Sequence, residues 1–127
     1  MSDMAIDMSH LEKYTAGDHR LLDEILTIFI DHAGACLARL DPEAPDGMWK
    51  DACHSLKGAS RGVGAWALGD AAAEAEALVG ALPGVVSVRV KLLERVKAAA
   101  AEAVDYAHCL RRESAEQLQQ AHAGLSA

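Results

Sequence analysis

A stripe of apolar residues at helical spacing, running from Asp18 to Leu40, is the sequence feature that most constrains the fold. The stripe consists of Leu22, Ile25, Leu26, Phe29, Ala33, Cys36, Leu37 and Leu40. Its i, i+3, i+4, i+7 spacing predicts one amphipathic helix that buries a single face. Leu21, Ile28 and Ile30 make the stripe wider than one core-facing surface needs. We therefore expect part of it to pack against the N-terminal segment, a partner, or both.

Capping and breaking residues delimit the elements on either side of this stripe. A short helix is predicted over residues 8–15, with Asp7 or Ser9 as its N-cap. It should end at residues 16–17, where a glycine suits a left-handed backbone. The proline-containing segment 41–47 predicts a loop, because proline cannot continue the preceding helix smoothly.

Three more helices are predicted after this loop. The third helix of the chain should run from residue 46 or 47 to residue 61 and end at a glycine-containing bend over residues 62–64. The fourth should cover residues 65–82. The last should begin with Ser87 as N-cap and fray beyond Arg111, where the chain turns polar. Its predicted apolar face consists of Leu92, Val96, Ala99, Ala103, Tyr106 and Leu110.

The composition agrees with a helical protein. Hydrophobic residues make up 51% of the 127 residues but aromatic residues only 4%, and alanine is frequent, which favours helices packed at close range. A chain of this length holds one core rather than two. We predict an all-α fold over residues 1–127, a single domain built as an antiparallel up-down four-helix bundle with a short extra N-terminal helix. Trp49 and Trp66 are its predicted core anchors.

Charge and cysteine content exclude several classes of function. The formal net charge is −7 and the pI about 5.2, so the field of the molecule repels nucleic acids. Cys36, Cys53 and Cys109 are an odd number without a CxxC pair, and we interpret them as reduced, buried thiols. We find no pattern of a secretory signal peptide and no membrane-spanning apolar run. We therefore expect a cytoplasmic protein that binds neither nucleic acid nor membrane. We also expect it to be a monomer.

The third helix has one apolar side and one basic side. With an advance of about 100° per residue, its predicted buried face consists of Trp49, Ala52, Cys53, Leu56, Ser60 and, if the helix extends that far, Val63. His54 lies about 160° from the centre of that face, so its side chain should point to solvent. Lys50, Lys57 and Arg61 share the side of His54. They form a local cationic surface on an acidic protein, which suits a small anion.

Gly58 stands inside this helix, one turn after His54 and on the same exposed side. Basic residues alone would fit an ordinary solvated helix face. A glycine within a helix, however, costs about 1 kcal/mol relative to alanine, and the flanking pattern does not require the helix to stop. Tight helix packing is the usual reason for such a glycine, but Gly58 is nearly opposite the buried face. Its position indicates that another molecule approaches the imidazole of His54.

Residues 54–64, HSLKGASRGVG, resemble the HxLKGxxxxxG signature of histidine-containing phosphotransfer (HPt) domains. The resemblance extends to the preceding helix and to Ala75-Glu76, which falls where the following helix of the family ends in a Leu-Glu-like pair. It implies a four-helix bundle that carries a phosphoryl group between aspartates of receiver domains, linking a hybrid sensor kinase to a response regulator. Such a protein is a phosphoryl carrier in a two-component phosphorelay, without its own kinase activity or ATP site.

The resemblance also implies roles for single residues. His54 would be phosphorylated on its outward Nε2, with Lys57 near the phosphoryl oxygens and Gly58 giving access. Glu76 would accept the proton of Nδ1, with a plain surface acid as the alternative. Arg61 would either neutralise phosphate charge or contact an acidic receiver surface. We expect no cofactor in this chain, because the Mg²⁺ of the reaction would belong to the receiver domain.

A docking surface for the receiver is expected around His54. It would combine polar residues of the third helix with the surplus apolar residues of the second helix and the N-terminal segment. The candidates are Leu21, Ile25, Ile28, Lys50, Ser55, Gly58 and Arg61, together with Ile6 and Met8. We expect at least half of the apolar members to pack in the core or against the N-terminal segment instead.

Two other functions fit parts of the sequence. Helical bundles that bind metal or haem use Glu-x-x-His pairs, and the nearest match here is the single pair Asp105-x-x-His108. The second alternative is an HPt-like adaptor that binds signalling partners without being phosphorylated. The combination of His54, Lys57 and Gly58 argues against it, because such an adaptor has no use for a destabilising glycine.

Overall fold

The computed structural model describes residues 4–80 and 83–125, and all regular structure in these residues consists of five helices. They are α1 (Met8–Thr15), α2 (His19–Arg39), α3 (Asp46–Val63), α4 (Trp66–Glu76) and α5 (Val85–Leu125). The prediction of an all-α protein is confirmed. None of these helices, over the described residues, is both long and apolar enough to cross a membrane.

The first helices begin and end at the residues that the sequence indicates. Asp7 caps α1 by accepting a hydrogen bond from the backbone N–H of His10 at 3.3 Å. Asp18 caps α2 by accepting from two N–H groups of its first turn, at 3.0 and 3.1 Å. Between them, Ala16 and Gly17 adopt the predicted left-handed backbone, with φ of 47° and 83°.

Gly64 ends α3 and connects it to the segment before α1. Its φ of +80° is left-handed, which glycine adopts without strain. A Cβ atom at this position would also lie 3.1 Å from the backbone oxygen of Asp7 and 3.2 Å from its backbone nitrogen. The N–H of Asp7 donates to the carbonyl oxygen of Gly64 at 2.9 Å. Glycine is therefore required here both for conformation and for the close approach of a second backbone.

α4 is shorter than predicted. The predicted end at Leu82 lies outside the described residues, but the helix already ends at Glu76, and Gly80 has a φ of +111°. Instead of extending the helix, the N–H of Leu78 donates to the carbonyl oxygen of Ala75 at 3.0 Å. The helical hydrogen-bond pattern is thus replaced by a tight turn directly after Glu76.

α5 is longer than predicted at both ends. It begins at Val85, so the prediction of Ser87 as N-cap is wrong, and it stays helical to Leu125 rather than fraying beyond Arg111. Contacts with α2 stabilise the region around Arg111: its Nε donates to Asp23 at 2.8 Å, and Oγ of Ser114 lies 2.9 Å from Nδ1 of His19. The buried residues of α5 are Leu93, Val96, Ala100, Ala103, Ala107, Leu110 and Ser114, together with Arg89. Leu92, Ala99 and Tyr106 of the predicted face are only half-buried.

The core lies between α2, α3, α4 and α5, which contact one another in a cycle, while α1 contacts α2. Small residues make up most of the buried face of α4 and half of the buried face of α5, which permits close packing against their neighbours. Trp49 is fully buried, as predicted. Trp66 is not a core anchor, because its side chain is 43% exposed at the start of α4. It packs edge-on against His10, at 4.9 Å between ring centroids, and donates to the carboxylate of Asp7 at 3.1 Å.

Arg89 is a buried charge whose hydrogen bonds join the start of α5 to two connecting segments. Its side chain is only 2% exposed. It donates to the carbonyl oxygens of Pro42, Ala44 and Leu78 at 2.9–3.0 Å, pairs with Asp46 at 2.6 Å, and lies 4.8 Å from the ring centroid of Trp49. Because each of these bonds replaces one to water, the guanidinium tolerates burial.

Replacing Arg89 with methionine should destabilise the protein by about 2–4 kcal/mol, because three carbonyl oxygens lose their donor. The matched control is Arg95→Met on the same helix. The Arg95 side chain is 59% exposed and pairs with Glu74 at 2.7 Å, so its loss should cost less than about 1 kcal/mol. Urea unfolding of both variants measures the difference. Equal destabilisation would contradict the structural role given to Arg89.

Candidate functional site

α3 presents His54 to solvent because its apolar residues bury the opposite side. The buried residues of α3 are Trp49, Ala52, Cys53, Leu56, Ser60 and Val63, so the predicted buried face is confirmed. The His54 side chain is 69% exposed. The adjacent Cys53 is buried, and desolvation raises the pKa of its thiol to about 12, which keeps it protonated and unreactive at neutral pH.

α4 brings a carboxylate to His54 across the α3–α4 interface. Oε2 of Glu76 lies 2.8 Å from Nδ1 of His54, and Oε1 of the same carboxylate accepts a hydrogen bond from Nζ of Lys57 at 2.6 Å. The Glu76 side chain is 15% exposed. The hydrogen bond from Lys57, and after it that from His54, holds the pKa of Glu76 below its ordinary value of 4.5.

This contact determines which nitrogen of His54 is free. An ionised carboxylate can only accept hydrogen bonds, so Nδ1 must carry the proton that is shared with Glu76. In the neutral imidazole, the lone pair then lies on Nε2. His54 thus combines a fixed tautomer with a side chain that is largely exposed, which leaves the lone pair of Nε2 available as a nucleophile.

Open space surrounds Gly58. A Cβ atom at this position would meet no heavy atom within 4 Å outside its own helix backbone and chain neighbours. The missing side chain is therefore not needed for packing inside the described structure, which removes tight helix packing as its explanation. Gly58 follows His54 by one helical turn and is itself exposed.

Of the three basic residues predicted on this side of α3, only Lys57 joins the His54–Glu76 pair. Arg61 lies two turns further along, about 10 Å by helical rise. Its side chain extends along α4, where a Cβ on Gly69 would come within 3.0 Å of its Cγ, and its guanidinium is 4.0 Å from Asp70. Lys50 is exposed on the turn before His54. The contact between Gly69 and Arg61 was not predicted from the sequence, since it depends on how α3 packs on α4.

An apolar groove of about 560 Å³ runs between α1, α2 and α3. α1 contributes Leu11 and Tyr14, α2 contributes Ile25 and Ile28, and α3 contributes Ala59 and Gly62. Ile28 is 67% exposed and Tyr14 59% exposed. These residues give the molecule an accessible apolar surface on the helix that carries His54. Tyr14 and Leu11 were not among the predicted docking residues, because neither has a distinctive local pattern.

The remaining members of the predicted docking surface have other environments. Ile6 is fully buried, so its assignment to an exposed docking surface is wrong. Met8 is partly buried against the core, and Leu21 is half-buried and outside the groove lining. Ser55 is half-buried on α3. The surplus apolar stripe of α2 is therefore divided between the core and the groove.

The residues of the metal-binding alternative and the third cysteine are exposed. Asp105 and His108 both lie on the solvent side of α5. In the part of the chain that the structure describes, no three histidine, cysteine or acidic side chains are arranged to hold a metal ion. Cys36 is buried like Cys53, but Cys109 is exposed, so the interpretation of all three as buried thiols is wrong for Cys109.

Comparison with known protein families gives a match over most of the chain. A family model described as Hpt domain matches residues 24–127, which include α3, α4, α5 and most of α2. No curated protein and no solved structure matches the chain.

The Glu76 pair should make stability depend on pH. Because folding lowers the pKa of Glu76, its charge stabilises the protein above the ordinary value of 4.5, and this stabilisation is lost as pH falls through the lowered pKa. Glu76→Gln should therefore be less stable than wild type by about 1–2 kcal/mol near neutral pH. The difference in stability between Glu76→Gln and wild type should vanish in acid. There the protonated carboxyl of Glu76 is neutral, like the amide of the variant.

Urea unfolding at several pH values measures this difference, with Glu74→Gln as control. Glu74 lies two residues earlier on α4, in an exposed pair with Arg95. Its replacement should have a smaller effect. If both variants lose the same stability with the same pH dependence, the Glu76 carboxylate is not specially stabilised.

Proposed function

The chain belongs to the Hpt domain family, and we propose that His54 accepts a phosphoryl group from a receiver-domain aspartate and passes it to the receiver domain of a response regulator. Hpt domains carry phosphoryl groups on histidine in phosphorelays, interact with receiver domains and have no kinase activity of their own. The observation that supports His54 as the carrier is its exposed imidazole, with Nδ1 held by the Glu76 carboxylate.

The proposed reaction forms one bond and breaks one. The lone pair on Nε2 of His54 attacks the phosphorus of the aspartyl phosphate, the N–P bond forms, and the P–O bond to the aspartate breaks, which leaves a free carboxylate on the receiver. Transfer to the next receiver is the reverse reaction with a different aspartate. Phosphoryl transfer depends mainly on positioning and charge stabilisation, so few groups are needed on the carrier.

The neighbours of His54 have separate roles in this proposal. The ring gains positive character when Nε2 is phosphorylated, and the Glu76 carboxylate stabilises it through the proton on Nδ1. Lys57 is the cation nearest to the pair and would compensate the charge of the phosphoryl oxygens. No metal or nucleotide is assigned to this chain, and Mg²⁺ would be supplied with the receiver.

The proposed docking surface consists of Ile25, Ile28, Lys50, Ser55, Gly58 and Arg61. The groove residues Ile25 and Ile28 offer apolar area for the centre of an interface. Arg61 extends towards Asp70, about 10 Å from His54 along α3, so we assign it to the receiver surface rather than to the phosphoryl group. Gly58 leaves room for the approaching receiver.

We also propose that α2–α5 form an antiparallel up-down four-helix bundle, with α1 as the extra helix of a single domain. Contacts between the helices support this arrangement. On α3 and α4, His54 pairs with Glu76, whereas Arg61, later on α3, pairs with Asp70, earlier on α4. The same reversed order holds for α2 and α5. Such a carrier would work as a monomer in the cytoplasm, between a hybrid sensor kinase and a response regulator.

Phosphorylated receiver domains should label the protein with a phosphoryl group that is acid-labile and alkali-stable, as expected for phosphohistidine. His54→Gln should abolish the label, because no other side chain replaces Nε2. His108→Gln, which changes another exposed histidine, should leave it unchanged. The experiment uses several different receiver domains. If none of them labels the folded wild-type protein, the unphosphorylated adaptor becomes the better hypothesis.

Two substitutions of Gly58 should separate its effect on stability from its effect on the phosphotransfer rate. Gly58→Ala should stabilise the protein by about 1 kcal/mol, because alanine favours a helix and its Cβ meets open space. Gly58→Leu should slow phosphotransfer on the order of tenfold to a hundredfold by displacing the receiver from His54. Gly34 is an exposed glycine in α2 that also faces open space, so Gly34→Leu is the control. Equal transfer rates in both leucine variants would contradict the access role.

Ile28→Ser should raise the KM for a phosphorylated receiver by roughly fivefold to tenfold, because a central apolar contact of the interface is lost. The maximal rate should change little, since the atoms around His54 are untouched. Val88→Ser removes a similarly exposed apolar side chain from α5 and serves as control. An unchanged KM in Ile28→Ser would exclude the groove from the docking surface.

A further inference from the structure

We propose that Trp49 is a positioning residue for phosphotransfer: its indole N–H holds the end of α4, and through it the Glu76 carboxylate, against His54. The inference rests on the proposed function of His54. Trp49 precedes His54 on α3 by five residues and is fully buried, so it contacts neither the phosphoryl group nor a receiver. It would act only through the backbone that carries Glu76.

The connection from Trp49 to Glu76 is short. Nε1 of Trp49 donates to the carbonyl oxygen of Ala75 at 2.7 Å, in a buried hydrogen bond between α3 and α4. Ala75 immediately precedes Glu76, the last residue of α4. The backbone of Glu76 is therefore attached to the same helix that carries His54 and Lys57. One helix thus presents the imidazole on its exposed side and fixes the position of its carboxylate partner from its buried side.

The position of the carbonyl explains why this hydrogen bond matters. Carbonyl groups in the last turn of a helix lack the helical partner four residues later, and for Ala75 the turn after Glu76 provides only short-range donors, the N–H of Ala77 and the N–H of Leu78 at 3.0 Å. Helix ends fray when such groups lack partners. At this end, fraying would move the Glu76 side chain, which must stay within 2.8 Å of Nδ1 of His54.

Arg89, which lies over the indole ring of Trp49, supports the same arrangement. Its guanidinium lies 4.8 Å from the centroid of the Trp49 ring and donates to the carbonyl oxygen of Leu78, two residues after Glu76. Its partner Asp46 also accepts from the N–H of Gly80 at 2.8 Å. The turn that follows Glu76 is thus attached to α3 by an exposed hydrogen bond and to α5 by a partly buried one.

Trp49→Phe tests the proposal, because it keeps a large aromatic ring and removes the indole N–H. NMR of the unphosphorylated protein gives two readouts that core packing alone would not change. The pKa of the Glu76 carboxyl, followed by ¹³C shifts, should rise towards its ordinary value of 4.5. The fraction of neutral His54 with its proton on Nδ1, followed by ¹⁵N shifts in alkaline solution, should fall. The phosphotransfer rate should fall roughly threefold to tenfold.

Trp66→Phe is the matched control, since it also removes an indole N–H. This N–H donates to Asp7 from the first residue of α4, at the opposite end of that helix from Glu76. Trp66→Phe should leave both NMR readouts and the transfer rate unchanged. If Trp49→Phe does not fold, 3-benzothienylalanine at position 49 preserves the shape of the indole and lacks only the donor. Unchanged Glu76 and His54 readouts in a folded variant would overturn the positioning role. Because neither readout needs phosphate, failure of wild type to be labelled would instead count against the proposed function.

Discussion

The carboxylate of Glu76 connects α4 to the two side chains of α3 that form the candidate site with it. It accepts hydrogen bonds from His54 and Lys57, which lie one turn apart on α3, and its own helix ends at that residue. α4 must therefore pack so that its end lies beside the middle of α3. Small buried residues on α4, such as Ala71, Ala72 and Ala75, permit this close packing. The position of an exposed site thus depends on the geometry of the core.

Features that depend on one helix could be predicted from the sequence, and features that depend on contacts between helices could not. The buried face of α3 and the exposure of His54 follow from the 3.6-residue period alone. The end of α4 and the turn after it accept hydrogen bonds from Trp49 and Arg89, which lie on other helices. Nothing in the local sequence marks these donors. The same limitation explains Trp66, whose size favours burial but whose position at the start of α4 leaves it exposed.

More of the site than of its surroundings could be predicted from the sequence, because a family signature adds to the local pattern. Residues 54–64 indicate the histidine, its lysine and two glycines, yet the signature does not say why each glycine is present. Gly58 faces open space, and Gly64 meets the backbone of Asp7. One is therefore available for contacts with another molecule, and the other is required by the fold. The groove residues Leu11 and Tyr14 come from α1, outside both the signature and the matched family region.

The contacts of Glu76 with both His54 and Lys57 also determine the net charge of the unphosphorylated site. With a neutral imidazole, the positive charge of Lys57 cancels the negative charge of Glu76, so the three side chains form a group with no net charge on a protein whose formal net charge is −7. A phosphoryl donor, which is itself an anion, meets no local excess of negative charge at His54. The site can therefore admit an anion that the remainder of the molecule repels.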